Sequence, residues 1–309
     1  MALQSQPKVA ILLATYNGLK YLPEQIQSLM LQKSVDIHLF ISDDYSTDGT
    51  WDYLNELKNN RITVLPRSKN YKSASGNFFY LLKEVNFDLF DYVSLSDQDD
   101  VWKTDKLRSC IDYIKLTNAD ACSSDVIAFW GESISHSKQK YILKSQPIGL
   151  WNHIFESAGP GCTFLLNKKT ALEVKIFLHK NCENLQLIAF HDWLIFSFVV
   201  SRGLKWVILP KATLYYRQHS SNVIGVNSGL RSYLQRFKLL RNGWYLTQVF
   251  KISQLCKTED SAPLVKLKNM SFKNLIFLFQ KITSLRRKNT DRMILIFYFI
   301  YFYFRNKLN

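Results

Sequence analysis

The segment KVAILLATYNG, residues 8–18, joins a continuous apolar run to a polar turn. Such a run is typical of a β-strand covered on both faces, and such a turn is typical of a strand's end. Three more apolar runs follow within the first hundred residues. Between them lie segments whose apolar residues recur every three or four positions, as in amphipathic helices.

Strand and helix alternate strictly in this part of the chain. Such alternation requires right-handed crossovers and predicts an α/β fold with a mostly parallel sheet and flanking helices. The predicted strands are 8–14, 37–42, 61–65 and 91–95, and the predicted helices are 22–31, 48–57 and 75–85.

Polar clusters follow three of the four predicted strands. They are 15–18 (TYNG), 43–50 (DDYSTDGT) and 96–100 (SDQDD). Ligands bind beyond the carboxyl ends of the strands in an open parallel sheet, so these clusters should meet at one edge. The three carboxylates of the last cluster repel one another, which favours a Mg²⁺ or Mn²⁺ site over a solvated loop that caps the next helix.

The second cluster supports two interpretations that are compatible with each other. Thr47 or Asp48 could cap the next helix. Asp43 or Asp44, at the strand end, could instead accept a hydrogen bond from a nucleotide base or a ribose hydroxyl. The position at the ligand-binding edge makes these two carboxylates candidates for nucleotide binding.

Several common classes of site are not supported. The chain has neither a Gly-x-Gly-x-x-Gly motif after a strand nor a P-loop, which argues against a dehydrogenase or an NTPase. Its five cysteines are widely spaced and form no Cys-x-x-Cys pair, so neither a disulfide framework nor a structural zinc site is indicated.

The later part of the chain is less regular. A loop at 159–161 precedes an apolar strand, and His191-Asp192-Trp193 opens an apolar helix that ends at 202–203. The remaining predicted strands are 162–167, 206–209 and 212–216, and the remaining predicted helices are 169–179, 230–255, 271–287 and 291–306.

The net charge of +15 is concentrated near the C-terminus. Residues 231–309 contain 16 Lys and Arg against three Asp and Glu, whereas residues 1–230 contain 24 against 22. Apolar stripes interrupt these cations, as in helices that lie in an anionic membrane interface. The same pattern is expected of helices that pack on the rest of the chain or on a second subunit. The longest apolar stretch, 293–304, is shorter than the roughly 20 residues that a membrane-spanning helix needs.

Four motifs in order resemble family 2 glycosyltransferases with the Rossmann-like GT-A fold, and in particular the rhamnosyltransferase-like group. They are ATYNG (14–18), SDDYSTDGT (42–50), SDQDDVWKTDKL (96–107) and HDW (191–193). Four motifs in the right order are far more specific than any one of them. The resemblance covers roughly residues 8–225 and implies a GT-A domain, placed at 1–228, which binds a nucleotide sugar and carries out catalysis. The charge and apolar pattern assigns 229–309 to a C-terminal basic amphipathic helical region that associates with a membrane or packs on protein.

The resemblance also implies roles for single residues. Tyr16 and Asp44 match positions that hold the pyrimidine base. Asp97 and Asp99 match the DxD pair that binds ribose, metal and diphosphate, and Asp192 matches the general base. The further candidates are Thr15, Asn17 and Asp43 for the nucleotide, His219 for the metal, Arg217 and Asn222 for the diphosphate, and Gly161, His191 and Trp193 for the donor or acceptor sugar.

The implied activity is a metal-dependent, inverting transfer of a hexose from a dTDP- or UDP-sugar to a lipid-linked saccharide. L-rhamnose from dTDP-rhamnose is the first candidate donor, and a bacterial surface polysaccharide such as O-antigen or capsule is the expected product. The protein is expected to be cytoplasmic and peripheral at the inner face of the membrane. The alternative is a nucleic-acid-binding protein on a doubly wound scaffold, which the pI near 9.5 suggests but no recognition motif supports.

Overall fold

A nine-stranded mixed sheet forms the centre of the protein in a computed structural model, which describes residues 6–219 and 242–308. The strands are β1 (Lys8–Thr15), β2 (Asp36–Asp43), β3 (Ile62–Val64), β4 (Tyr92–Ser96), β5 (Val101–Trp102), β6 (Ala121–Trp130), β7 (Lys138–Ile142), β8 (Leu165–Asn167) and β9 (Trp206–Gln218). The helices up to β9 are α1 (Leu22–Met30), α2 (Thr50–Glu56), α3 (Ala74–Glu84), α4 (Lys106–Thr117), α5 (Asn152–Phe155), α6 (Lys168–Lys180), α7 (Cys182–Leu185) and α8 (His191–Ser201). The helices after β9 are α9 (Trp244–Cys256), α10 (Ala262–Lys268), α11 (Phe272–Gln280), α12 (Ile282–Leu285) and α13 (Asn289–Leu308).

The first half of the sheet is parallel, as the alternation of strand and helix predicts. Strand β1 pairs in parallel with β2 and β4, and β2 pairs in parallel with β3. The four strands and three helices predicted for the first hundred residues are confirmed, with ends that differ by no more than two residues.

The second half of the sheet mixes both directions. The strand order is β3-β2-β1-β4-β8-β6-β9-β5, with β7 paired to β6. Strand β8 is antiparallel to β4 and β6, whereas β6 and β9 are parallel. A short turn of 3₁₀ helix, Gly161–Thr163, leads into β8, so no helical crossover fixes the direction of that strand.

Several predicted elements differ from the observed ones. The two strands predicted at 206–209 and 212–216 are the single strand β9, and the helix predicted at 271–287 is divided into α11 and α12. The irregular segment 119–166 contains the long strand β6. Residues 220–241 lie outside the described residues, and with them Asn222, the predicted domain boundary at 228 and the start of the predicted helix 230–255.

The register of the parallel strands brings the polar clusters together. Thr15 at the end of β1 lies opposite Asp43 at the end of β2, and Leu13 lies opposite Ser96 at the end of β4. The segments that follow these three strands therefore leave the sheet at one edge. Strand β5 pairs with β9 through Val101 and Tyr215, which places the end of β9 beside the acidic cluster.

The C-terminal helices share a hydrophobic core with the sheet. Leu275, Leu295 and Phe299 are buried in the same cluster as Phe78 of α3 and Leu194 of α8. Burying one such side chain contributes about 1.5–3 kcal/mol, so these helices stabilise the body on which they pack. Packing on the body is thus one role of the basic region, as one of the two sequence alternatives predicts.

One face of α13 remains exposed. Met293, Phe297, Tyr301 and Phe304 lie three or four residues apart and are 37–64% exposed, and we call them the outer stripe. Among the helices of residues 6–219 and 242–308, none has the length and hydropathy that crossing a membrane requires.

Candidate active site

A cleft of about 1650 Å³ lies along the edge of the sheet at which the polar clusters meet. Its walls come from the ends of β1, β2 and β4 and from the first turns of α3 and α8. The loop after β7 and the segment that opens α13 complete it. The cleft-lining residues that the sequence singles out are Thr15, Tyr16, Asn17, Asp44, Asp97, Asp99, Gly161, His191, Asp192 and His219.

Gln98 joins the first and third polar clusters at the nucleotide end of the cleft. Its Oε1 accepts hydrogen bonds from the hydroxyl of Thr15, at 2.6 Å, and from the backbone N–H of Tyr16, at 2.8 Å. Its Nε2 donates to the carbonyl oxygen of Tyr16 at 3.1 Å. The ring of Tyr16 is 55% exposed, so a flat base can stack on it.

Asp44 and Asn17 complete this end. The carboxylate of Asp44 accepts the N–H of Tyr71 at 2.6 Å, and burial raises the pKa of Asp44 above its ordinary value. Asn17 has a φ of 47°, which asparagine tolerates better than most residues. Its side-chain oxygen accepts the N–H of Thr47 at 2.8 Å and fixes the loop after β2.

Asp43 does not reach the cleft. Its side chain is fully buried, forms an ion pair with Arg67 and accepts the N–H of Ser46 at 3.0 Å. The guanidinium of Arg67 in turn covers the ring of Trp51 at 4.2 Å. The expectation that Asp43 binds the nucleotide is therefore corrected, because its acceptor positions are occupied from within the fold.

The acidic cluster divides into two layers. Asp97 and Asp99 line the cleft, whereas Asp100 is 1% exposed and lies beneath them. Burial, with the charges of Asp99 and Asp192, raises the pKa of Asp97 to about 7. One oxygen of Asp100 accepts the N–H of Arg217 at 3.1 Å, and the other has no partner within the described chain.

His219 extends the upper layer of the cluster. Its Nε2 lies 2.7 Å from the carboxylate of Asp99, and its ring stacks on Tyr21 at 5.2 Å. Asp99 and His219 are in contact and Asp97 lines the same cleft, so carboxylate and imidazole groups of the kinds that divalent cations accept are present here. Among the described residues, however, the group of three whose ligand atoms lie within 4.8 Å of one another is Asp97, Asp100 and Cys162. Cys162 is fully buried and offers sulfur, which Mg²⁺ and Mn²⁺ disfavour.

Arg217 positions the upper layer and does not face a diphosphate. It is 1% exposed, and its Nε donates to the carbonyl oxygen of Asp99 at 2.8 Å. It also donates to the carbonyl oxygens of Gly131 and Glu132 and forms an ion pair with Glu24. The expectation of a diphosphate contact is corrected, since these groups occupy the guanidinium.

Asp192 lies in the first turn of α8 and lines the same cleft, close enough to Asp97 for its charge to act on the pKa of that carboxyl. The hydroxyl of Ser75 accepts the N–H of His191 at 2.9 Å and donates to the carbonyl oxygen of Ala189, which ties the start of α8 to α3. Burial raises the pKa of Asp192 to about 6, and a hydrogen bond from Ser157 and the charge of Lys144 act against this rise. Asp192 is therefore an ionised carboxylate at neutral pH and a suitable proton acceptor.

The two neighbours of Asp192 face different surroundings. His191 is 8% exposed and stacks on Phe78 at 4.0 Å, and its Nε2 has no partner within the described chain. Burial lowers the pKa of His191 to about 3, so its ring is neutral. Trp193 donates to the carbonyl oxygen of His153 at 2.9 Å inside the core. The expectation that Trp193 contacts a sugar is therefore corrected, whereas His191 lines the cleft.

Comparison with known proteins identifies the family. The sequence model described as glycosyl transferase family 2 matches residues 10–171. The dTDP-rhamnosyl transferase RfbG of Shigella flexneri is 37% identical over 287 residues, which are 92% of this chain and 97% of that protein. The chain belongs to glycosyl transferase family 2.

Two further comparisons describe this family 2 glycosyltransferase more closely. The UDP-Glc:alpha-D-GlcNAc-diphosphoundecaprenol beta-1,3-glucosyltransferase WfaP of Escherichia coli is 24% identical over 220 residues, 70% of this chain and 79% of that protein. The mannosyltransferase PcManGT from Pyrobaculum calidifontis, solved in complex with GDP-Man and Mn²⁺, gives a TM-score of 0.52 at 12% identity. The match covers 97% of this chain and 86% of that structure. At this low identity it supports the fold and nothing about the activity.

The resemblance seen in the four motifs is thus confirmed. The protein is a glycosyltransferase with the GT-A fold, which decides for an enzyme over a nucleic-acid-binding protein on a similar scaffold.

The site of this family 2 glycosyltransferase contains residues that sequence reasoning missed. Gln98 lies inside a recognised motif, but its bonds to Thr15 and Tyr16 span more than 80 positions. Lys144 and the segment 286–294 also line the cleft. No motif marks them, and only the packing of α12 and α13 on the body brings them to the site.

Proposed function

We propose that this glycosyltransferase transfers L-rhamnose from dTDP-rhamnose, with inversion, to a saccharide linked to a lipid. The observation that carries the proposal is the 37% identity to a dTDP-rhamnosyl transferase over 92% of the chain. A single cleft lined by Tyr16 and Asp44 for a nucleotide, by Asp97, Asp99 and His219 for a metal, and by Asp192 as a general base is consistent with it.

The donor would lie across the edge of the sheet. Tyr16 stacks on the pyrimidine, Asp44 accepts from the base, and Gln98 holds the loop that carries Tyr16. Asp97, Asp99 and His219 would hold Mg²⁺ or Mn²⁺, which when bound neutralises the charge of the diphosphate.

Asp192 acts on the acceptor as general base. Its carboxylate takes the proton of the acceptor hydroxyl while that oxygen forms a bond to the anomeric carbon. The bond from the anomeric carbon to the diphosphate oxygen breaks on the opposite face, and the configuration inverts. A pKa near 6 keeps the base ionised at neutral pH without making it too weak to accept the proton.

We further propose that the acceptor belongs to bacterial surface polysaccharide synthesis and that the enzyme works at the inner face of the cytoplasmic membrane. WfaP supports the first point, since its name gives a diphosphoundecaprenol-linked sugar as its acceptor. The outer stripe of α13 supports the second, because exposed aromatic residues on a basic helical region suit a bilayer interface. The domain division at 228 also remains a proposal.

Hydrolysis of nucleotide sugars tests the activity. The purified enzyme is incubated with a panel of dTDP-, UDP- and GDP-sugars, with Mn²⁺ or with EDTA, and released nucleotide is measured. We expect metal-dependent release from dTDP-rhamnose above all others. Release from none of the donors would overturn the proposal, and release from another sugar alone would overturn the choice of donor.

The variant Asp192→Asn tests the base. It should lower transfer by at least about a thousandfold while dTDP binds as tightly as to the wild type. Asp52→Asn is the matched control, since Asp52 lies on α2 outside the cleft. Transfer at the wild-type rate by Asp192→Asn would remove Asp192 from this role.

A further inference from the structure

One part of the cleft lining, formed by residues other than those proposed to hold the nucleotide, is rich in cations. Lys144 comes from the loop after β7, and Arg286, Arg287 and Lys288 come from the segment between α12 and α13. The acids that line the cleft near them are Glu156, Asp291 and Asp192. Four cations from two segments therefore meet at a wall with fewer counter-charges.

The cations of this wall differ in how many of their donor groups are bonded within the fold. Arg287 is 6% exposed and donates to Glu156 at 3.0 Å and to the carbonyl oxygen of Ala158 at 3.0 Å, so its role is structural. Arg286 donates to the hydroxyl of Tyr245 at 3.0 Å and lies 3.6 Å from Glu156. Its Nε is buried without a partner in the described part of the chain. A donor in this state indicates an acceptor that comes from outside the fold.

Lys144 and Lys288 add charge around this donor. Lys288 is exposed at the rim of the cleft, and Lys144 is half-buried. Burial and the charge of Arg287 lower the pKa of Lys144, and the charges of Asp291 and Glu156 only partly oppose this. An anion with several oxygens would supply what both Arg286 and Lys144 lack.

The position of this wall assigns the anion to the acceptor. Lys144 is close enough to Asp192 to act on its pKa, so the wall adjoins the proposed base. The proposed function places the donor diphosphate on different lining residues, Asp97, Asp99 and His219. An anion beside the base must then travel with the molecule whose hydroxyl reacts.

Helix α13 begins at the same wall. Thr290, Asp291 and Ile294 line the cleft, and the outer stripe starts at Met293. From Met293 to Phe304 the helix rises about 16 Å. An aliphatic chain attached to the anion can therefore leave the cleft along an apolar surface.

We propose that Lys144, Arg286 and Lys288 bind the diphosphate of a lipid-linked acceptor whose chain runs along the outer stripe of α13. The inference rests on the proposed function, because the base Asp192 locates the acceptor. In this proposal, the loop after β7 and the segment before α13 recognise the diphosphate that joins the sugar to the lipid.

Binding of small probes tests the site without knowledge of the acceptor sugar. The full-length enzyme is first saturated with dTDP and Mn²⁺, and geranyl diphosphate or geraniol is then titrated. The variants are Lys288→Glu and Lys144→Met. The matched control is Lys281→Glu, which makes the same charge change at an exposed residue outside the cleft.

We expect geranyl diphosphate to bind more tightly than geraniol. Lys288→Glu and Lys144→Met should each weaken its binding about tenfold, because each removes a charge-assisted hydrogen bond. Lys281→Glu should leave binding unchanged. The side chain of Lys288 is exposed, and within the described chain only its backbone carbonyl accepts bonds, at the start of α13, which Lys288→Glu keeps, so this variant keeps the test valid if Lys144→Met proves unstable.

Three results would overturn the inference. The first is equal weakening by Lys281→Glu, which would indicate a general charge effect. The second is binding of geranyl diphosphate to the free enzyme that is lost when dTDP and Mn²⁺ are present, which would place the probe in the donor site. The third is weaker binding of phosphatidylglycerol vesicles by Lys288→Glu with unchanged binding of geranyl diphosphate, which would assign the cations to bilayer headgroups. Metal-dependent donor hydrolysis, measured on the same Lys288→Glu preparation, separates failure of this inference from failure of the proposed function.

Discussion

Gly161 allows the wall that carries the base to approach the turn before β8. A Cβ at this position would lie within 3.0 Å of Nε2 of His191, and 3.2 and 3.3 Å from two ring carbons. The His191 ring cannot move away freely, because it is buried and one of its faces stacks on Phe78 at 4.0 Å, while the added Cβ meets its edge. Gly161→Ala therefore forces the first turn of α8 to move, and Asp192 moves with it.

The size of the effect follows from this geometry. The ring has to retreat by about 1 Å to reach ordinary van der Waals contact. Overpacking of this kind costs about 1–3 kcal/mol, which lowers the Tm by about 2–10 °C. A displacement of about 1 Å at a catalytic group can lower kcat about a hundredfold. Gly161→Ala should thus lose far more activity than stability.

Transfer kinetics and thermal unfolding of matched variants measure both effects. Gly159→Ala is the control, because a Cβ there would meet its nearest neighbour, the hydroxyl oxygen of Thr163, at an ordinary 3.6 Å. The double variant Gly161→Ala/His191→Ala should lose about 1–2 kcal/mol less free energy of unfolding than the two single variants lose together. A Gly161→Ala enzyme with wild-type kcat and Tm would refute the reasoning.

Three further outcomes are expected. Because burial raises the pKa of Asp192 to about 6, this carboxyl is protonated below that pH, and kcat/KM should fall at least about tenfold per pH unit there, since Asp97, with a pKa of about 7, protonates as well. A profile that stays flat from about pH 7 to pH 5 would contradict this assignment. His219→Ala should raise the Mn²⁺ concentration for half-maximal activity by at least about tenfold, and His136→Ala, outside the cleft, should not. If both variants need the same Mn²⁺ concentration, His219 is not a ligand. Phe297→Glu should reduce co-sedimentation with phosphatidylglycerol vesicles, whereas Ile176→Glu on the exposed face of α6 should not. Unchanged co-sedimentation of the Phe297 variant would rule out the outer stripe as the bilayer contact.

The parallel half of the sheet could be predicted because local patterns specify it. Strand β1 is apolar at almost every position, and the helices around it repeat every three or four residues. Strand β6 lacks such a pattern, since Ser123, Ser124 and Asp125 are buried within it. Long-range partners make this burial possible: Asp125 accepts backbone N–H groups of Lys144 and Ser145. A sequence pattern does not show partners that lie 20 positions away.

The candidate site could be predicted as far as its motifs reach. Tyr16, Asp44 and Asp97 follow strands whose register brings them to one edge, so their meeting follows from topology. Asp43 also follows a strand of this edge, but its carboxylate forms an ion pair with Arg67, which lies 24 positions away in the sequence. No local pattern reveals this pair. The cationic wall of the cleft had no motif, because it is formed by helices that pack back on the body.

The contact between Gly149 and Ser284 has a practical consequence for exchanging parts between related enzymes. A Cβ on Gly149 would lie 2.9 Å from the Cα of Ser284, and the N–H of Trp151 and the side-chain amide of Asn152 both donate to the carbonyl oxygen of Ser284. A chimera that takes only its C-terminal helices from another family member would have to match this backbone-to-backbone fit. Acceptor preference should therefore transfer between enzymes only when segments 143–157 and 284–294 are exchanged together.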